Sequence, residues 1–143
     1  MLQLISGGKG TGKTKRIVEM AQESSAKTDG KVVFIEKGAH LTFDLPHEVR
    51  LFNTDDYEIC GPGSFYGFLA GIAASDYDVK HIYVDSVVKI VGTDEAAITT
   101  FIQKVDRLAK RKEIEIVMAL SHDAKDFSAL INQYIVVNMD QNA

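Results

Sequence analysis

The sequence predicts an α/β fold, a three-layer sandwich in which a mainly parallel β-sheet lies between helical layers. Three observations carry this. Apolar runs and amphipathic stretches alternate from one end of the chain to the other. Val32-Val33-Phe34-Ile35, and again Ile116 to Leu120, are apolar without a break, as strands covered on both faces are. The first short run also leads at once into a glycine-rich turn and then a helical pattern, the opening of a strand–turn–helix unit.

The elements follow in order. Leu2 to Ser6 reads as a strand, and residues 13–27 as a helix with Ile17, Val18 and Ala21 on one face, stopped by Asp29-Gly30. Lys31 to Glu36 is the second strand, and Val49 to Asn53 a weaker third. Gly61-Pro62-Gly63-Ser64 is a turn that opens a helix with Phe65, Phe68, Leu69 and Ile72 at helical spacing. The Gly67 and Gly71 pair in that helix predicts close packing on the sheet. His81 to Asp85 is a strand. Asp94 to Lys112 is the clearest helix, with Ile98, Phe101, Ile102, Val105, Leu108 and Ala109 in one stripe. Ile114 to Leu120 is a buried strand, Lys125 to Gln133 contains a short helix, and Tyr134 to Val137 is the last strand.

At 143 residues the chain fits a single domain over 1–143. A chain of this size buries roughly 68–70% of its unfolded surface, enough for a core without disulfides. With 45% hydrophobic and 25% charged residues and 2 prolines, it is neither collagenous nor disordered in composition. The net charge of −4 argues against whole-surface attraction to nucleic acid or anionic lipid. The single cysteine forbids an internal disulfide and suits a reducing compartment. Cys60 has no base or cation beside it and reads as an inert structural thiol. The opening residues lack the basic stretch of a signal peptide, and the mostly apolar run 65–74 is too short to cross a bilayer. A cytoplasmic protein is expected.

The strongest motif is Gly7-Gly8-Lys9-Gly10-Thr11-Gly12-Lys13-Thr14, a full match to G-x-x-x-x-G-K-[ST] between a strand and a helix. Glycines let the backbone turn its N–H groups inward as a nest for phosphate oxygens, and the helix N-terminus adds positive potential. Lys13 reaches toward the β- and γ-phosphates of a nucleoside triphosphate, and the Thr14 hydroxyl can ligate Mg²⁺. Lys9 reads as a solvated loop lysine with phosphate contact as the alternative. A second oxygen ligand is needed for the metal. Asp85, at the carboxyl end of an apolar strand where α/β sheets bind ligands, is the candidate, with a turn-capping role as the alternative.

These residues resemble the RecA-like group of P-loop ATPases. Ile82-Tyr83-Val84-Asp85-Ser86-Val87-Val88 is similar to that family's strand with a metal-binding Asp, and residues 108–122 to its helix followed by a sensor strand. The likeness covers residues 1–40 and 80–123. It implies a P-loop core, ATP as the nucleotide and Mg²⁺ as the metal. It further implies a hydrolytic Glu after the second strand, where Glu36 stands, and a polar sensor of the γ-phosphate at Ser121-His122. Glu36 would then be the general base, with a solvent-facing carboxylate as the alternative, and His122 a phosphate donor or a surface residue. The chain departs from many relatives by carrying Ser86 where they have Glu and Ser121-His122 where they have Gln.

Other features read more plainly. Lys104, Arg107 and Arg111 form a basic helix face, taken as solvated rather than as a nucleic-acid stripe. Asp55-Asp56 reads as a polar turn, and His40, His47 and His81 lack metal-ligand spacing. The resemblance implies a Mg²⁺-dependent ATPase acting as a switch or motor component with a protein partner or in a homo-oligomer. A small-molecule kinase is the runner-up, disfavoured because four arginines supply no Arg-rich lid. A non-hydrolysing nucleotide-binding module is the third reading. A GTPase is disfavoured further, by the missing Gly three residues after Asp85 and by the absence of N-K-x-D.

Overall fold

The computed structural model describes residues 1–40, 44–121 and 128–140. Six parallel strands form one sheet in the order β3-β2-β4-β5-β1-β6. They are β1 (Leu2–Ser6), β2 (Lys31–Glu36), β3 (Val49–Asn53), β4 (Val79–Val84), β5 (Glu115–Leu120) and β6 (Ile135–Asn138). The helices are α1 (Lys13–Lys27), α2 (Pro62–Ser75), α3 (Val87–Val91), α4 (Glu95–Lys112) and α5 (Ala129–Asn132), with a 3₁₀ turn over Thr54–Tyr57. The α/β class is therefore as the alternating pattern predicts, and every strand pair is parallel.

The two faces of the sheet are covered unequally. Ile17, Val18 and Ala21 of α1 pack on Ile5, Phe34, Tyr83 and Val117. The opposite face carries α2, α3 and α4, whose Phe65, Leu69, Ile98, Phe101 and Ile102 pack over Leu4, Ile35, Ile82, Val84 and Met118. Alternation along each strand sends side chains to opposite faces, so the unbroken apolar runs feed both cores. Phe65 of α2 and Phe101 of α4 stack at 5.5 Å between ring centroids, a geometry worth about 0.5–1.5 kcal/mol beyond area burial. The Asp94 side chain accepts from Ala97 N–H at 2.9 Å and starts α4.

Several boundaries and placements differ from expectation. β4 begins at Val79 rather than His81, because Val79 is buried and pairs with Lys31. β5 starts at Glu115, since Glu113 in left-handed conformation (φ 55°) ends α4 and leaves Ile114 as the connection. β6 runs one residue later, Ile135–Asn138. Of the expected helix Lys125 to Gln133, Ala129–Asn132 is helical and residues 125–127 lie outside the described residues. Gly67 and Gly71 do not pack on the sheet. An added Cβ at either would meet nothing within 4 Å, because α2 buries Phe65, Leu69 and Ala73 on its other side. Cys60, expected as a structural thiol, is exposed. No helix among the described residues is long and apolar enough to cross a membrane.

The topology decides what meets at the carboxyl ends of the strands. The glycine-rich loop leaves β1, and α1 then crosses β5 and β4 to deliver the chain to β2. Its first turn thus passes over the ends of strands far from it in sequence.

Candidate functional site

The loop between β1 and α1 is laced by its own polar groups. Thr11 Oγ1 donates to the Gly8 carbonyl at 2.7 Å, and Lys13 Nζ donates to the same oxygen at 2.6 Å. Gly12 takes the N-cap of α1 with φ 93°, in the left-handed region where a side chain is strained. Gly7 is required by space. A Cβ there would lie 2.7 Å from Thr11 Oγ1 and 2.9 Å from Met139 Cβ. α1 has no side-chain cap and no acidic residue of its own in its first turn. Lys13 is 7% exposed. Burial lowers its pKa, while the nearby Asp140 and Asp85 carboxylates pull it back up.

Thr14, in the first turn of α1, meets the carboxylate of Asp85. Its Oγ1 lies 3.2 Å from Asp85 Oδ1 and 3.1 Å from Oδ2, across a sequence separation of 71 residues. Asp85 follows β4 directly, and its N–H donates to the Ile35 carbonyl of β2 at 3.0 Å. The next residue, Ser86, is in the left-handed region (φ 58°, ψ 60°) without being glycine, a conformation that costs about 1–3 kcal/mol and gathers at functional sites. It turns the chain sharply away, so the Asp85 carboxylate stays at the strand end.

The register of β2 and β4 pairs Ile35 with Val84, which brings Glu36 level with Asp85. Glu36 is 3% exposed, and its Oε1 accepts from His40 N–H at 3.1 Å. The two carboxylates, Thr14, Lys37, His40 and Lys89 line one cavity of about 200 Å³. It adjoins a larger cleft of about 640 Å³ along Lys9, Gly10, Gly12, Lys13 and Ser121. Lys9 is exposed at the rim of this cleft. A further hollow of about 610 Å³ opens at the β3 edge, beside Arg50, Phe52 and Ile72, away from the loop. Size does not separate the two large clefts; the one at the glycine-rich loop carries the buried Lys13 and adjoins the cavity lined by Glu36 and Asp85.

The donor set suits a hard cation of the Mg²⁺ kind. One hydroxyl and one carboxylate converge, and such an ion takes its remaining ligands from phosphate and water rather than from an all-protein cage. Among the described residues no cluster of three His, Cys, Asp or Glu side chains could hold a metal unaided.

His122 lies outside the described residues, and Ser121, just before it, lines the loop cleft. Asp55 pairs with Lys37 at 2.6 Å in the 3₁₀ turn, as a polar turn would. Lys104 Nζ sits 4.2 Å from the Tyr66 ring centroid, and Arg107 and Arg111 are exposed. Sequence reasoning missed three groups. Asp140 accepts from Gly8 N–H at 3.0 Å from the far end of the chain, with no local signal. His40 reaches the cavity because the loop turns back after Glu36. Lys89 falls four residues beyond Asp85, a spacing that could have flagged it. No protein-family model and no curated protein matches this chain.

Proposed function

We propose that this chain binds a nucleoside triphosphate with Mg²⁺ and hydrolyses it, acting as a P-loop ATPase of the RecA-like kind. The observation that carries the reading is the convergence of Thr14 and Asp85 at the mouth of the glycine-rich loop, with oxygens 3.1–3.2 Å apart. Adenine is the base expected from the resemblance. The loop N–H groups and Lys13 bind the phosphate chain, and Lys13 exchanges its bond to the Gly8 carbonyl for phosphate oxygens. Thr14 and Asp85 would hold the metal, which when bound neutralises phosphate charge. Glu36 orients a water in line with the terminal phosphate and accepts its proton. Turnover would switch contacts with a protein partner or a second copy.

The test is a calorimetric titration of the parent and Asp85→Asn with ATP, with and without Mg²⁺. The substitution keeps the shape and the hydrogen bond with Thr14 but removes the charge. We expect Mg²⁺-dependent affinity to fall at least about tenfold, the loss of a charge-assisted interaction, while metal-free affinity and fold are kept. An unchanged Mg²⁺ dependence would remove Asp85 from the metal site.

Asp140→Asn should act in the opposite direction. An asparagine side-chain oxygen still accepts from Gly8 N–H, but a negative charge beside the anion nest is gone. Severalfold tighter ATP binding is expected at low salt, shrinking as salt is raised. Weaker binding would mean that the carboxylate organises the loop more than it repels the phosphates.

A further inference from the structure

α3 is a short platform set against the site. Ser86 enters it in the left-handed region, and Gly92 leaves it with φ 97°. Val87, Ile90 and Val91 are 0%, 2% and 7% exposed and fix it to the core. The Ile90 carbonyl is further tied by Gly61 N–H at 2.8 Å. Val88 and Lys89 are left to face the loop cleft.

Lys89 holds a particular position. Only Thr14, Ser86 and Lys89 line both the loop cleft and the cavity of Glu36, and Lys89 alone of these is charged. Its side chain is exposed and forms no ion pair among the described residues. It shares the loop cleft with Lys13. Two ammonium groups that repel across one space are both relieved by a polyanion laid between them. The two cavities meet beside Thr14 and Lys89, next to the loop that carries Lys13.

We propose that Lys89 grips the terminal phosphate from α3 and makes the site tell a triphosphate from a diphosphate. This rests on the nucleotide reading above and adds the cation that reads phosphate number. The loop N–H groups and Lys13 serve the phosphates common to both ligands, whereas Lys89 serves the one that differs. Lys89 is exposed, so it surrenders side-chain freedom on binding, and the effect falls at the low end for a charged hydrogen bond.

The experiment titrates the parent, Lys89→Ala and Lys89→Arg with ATP and ADP in Mg²⁺, and with tripolyphosphate and pyrophosphate. Lys89→Ala should lose about tenfold in ATP affinity and less than about twofold in ADP affinity, with Lys89→Arg near the parent. Equal losses for ATP and ADP, or no loss, would overturn the role of Lys89 and leave the nucleotide reading standing. A parent that binds neither nucleotide overturns that reading instead. Lys89 then stands only if Lys89→Ala weakens tripolyphosphate but not pyrophosphate, and falls if it weakens both or neither, or if the parent binds no polyphosphate.

Discussion

Lys13→Ala is expected to weaken Mg²⁺–ATP binding by roughly a hundredfold, within the range for losing hydrogen bonds from a charged donor. The ammonium is almost fully buried, and its one carbonyl partner, Gly8, belongs to the loop itself. A cation kept out of water without a carboxylate bonded to it is costly, and its burial lowers its own pKa. Folding would not favour that arrangement on its own account; an arriving polyanion would. The substitution therefore removes a desolvated charge from the fold, and thermal unfolding should show little loss of stability. The measurement is calorimetry on parent and mutant beside a melting curve. Equal affinity for ATP would end the assignment of the loop as a triphosphate site.

Glu36→Gln should leave ATP binding near that of the parent while turnover falls at least about 10²-fold, the lower end of general acid–base contributions. Glutamine keeps an oxygen that accepts from His40 N–H, so the loop after β2 is held as before. It loses the basic oxygen and the charge. Ser86 cannot substitute, because a neutral hydroxyl is a poor base near neutral pH, and Asp85 is bonded to Thr14. Single-turnover phosphate release separates chemistry from binding. Parent-like release from the mutant would take Glu36 out of the chemistry, and an inactive but ATP-binding parent would favour the non-hydrolysing module.

What could be read from the sequence divides along the range of the interactions. The glycine-rich loop is contiguous, and its glycines and Lys13 need only the flanking strand and helix, so its eight residues can be read from the sequence alone. The buried strands also announce themselves, because a sheet covered on both faces needs unbroken apolar runs. The meeting of Thr14 with Asp85, and of Asp85 with Glu36, depends on β5 lying between β1 and β4 and on β2 lying beside β4. Strand order leaves no local mark, and the resemblance had to stand in for it. Asp140 lay beyond reach for the same reason. α3 was missed because five residues carry too little periodicity to separate a helix from a turn. Gly67 and Gly71 misled because their spacing fits close packing, while the larger Phe65 and Leu69 claimed the face toward the sheet.

The most direct test of the central claim is a crystal structure of the protein with Mg²⁺ and a non-hydrolysable ATP analogue. The account predicts the triphosphate in the nest of Gly8 to Thr14, with Lys13 Nζ on its β- and γ-oxygens. It predicts one metal ion about 2.0–2.1 Å from Thr14 Oγ1 and held by Asp85 directly or through one water. Phosphates bound elsewhere, or a loop free of ligand at saturating nucleotide, would contradict it.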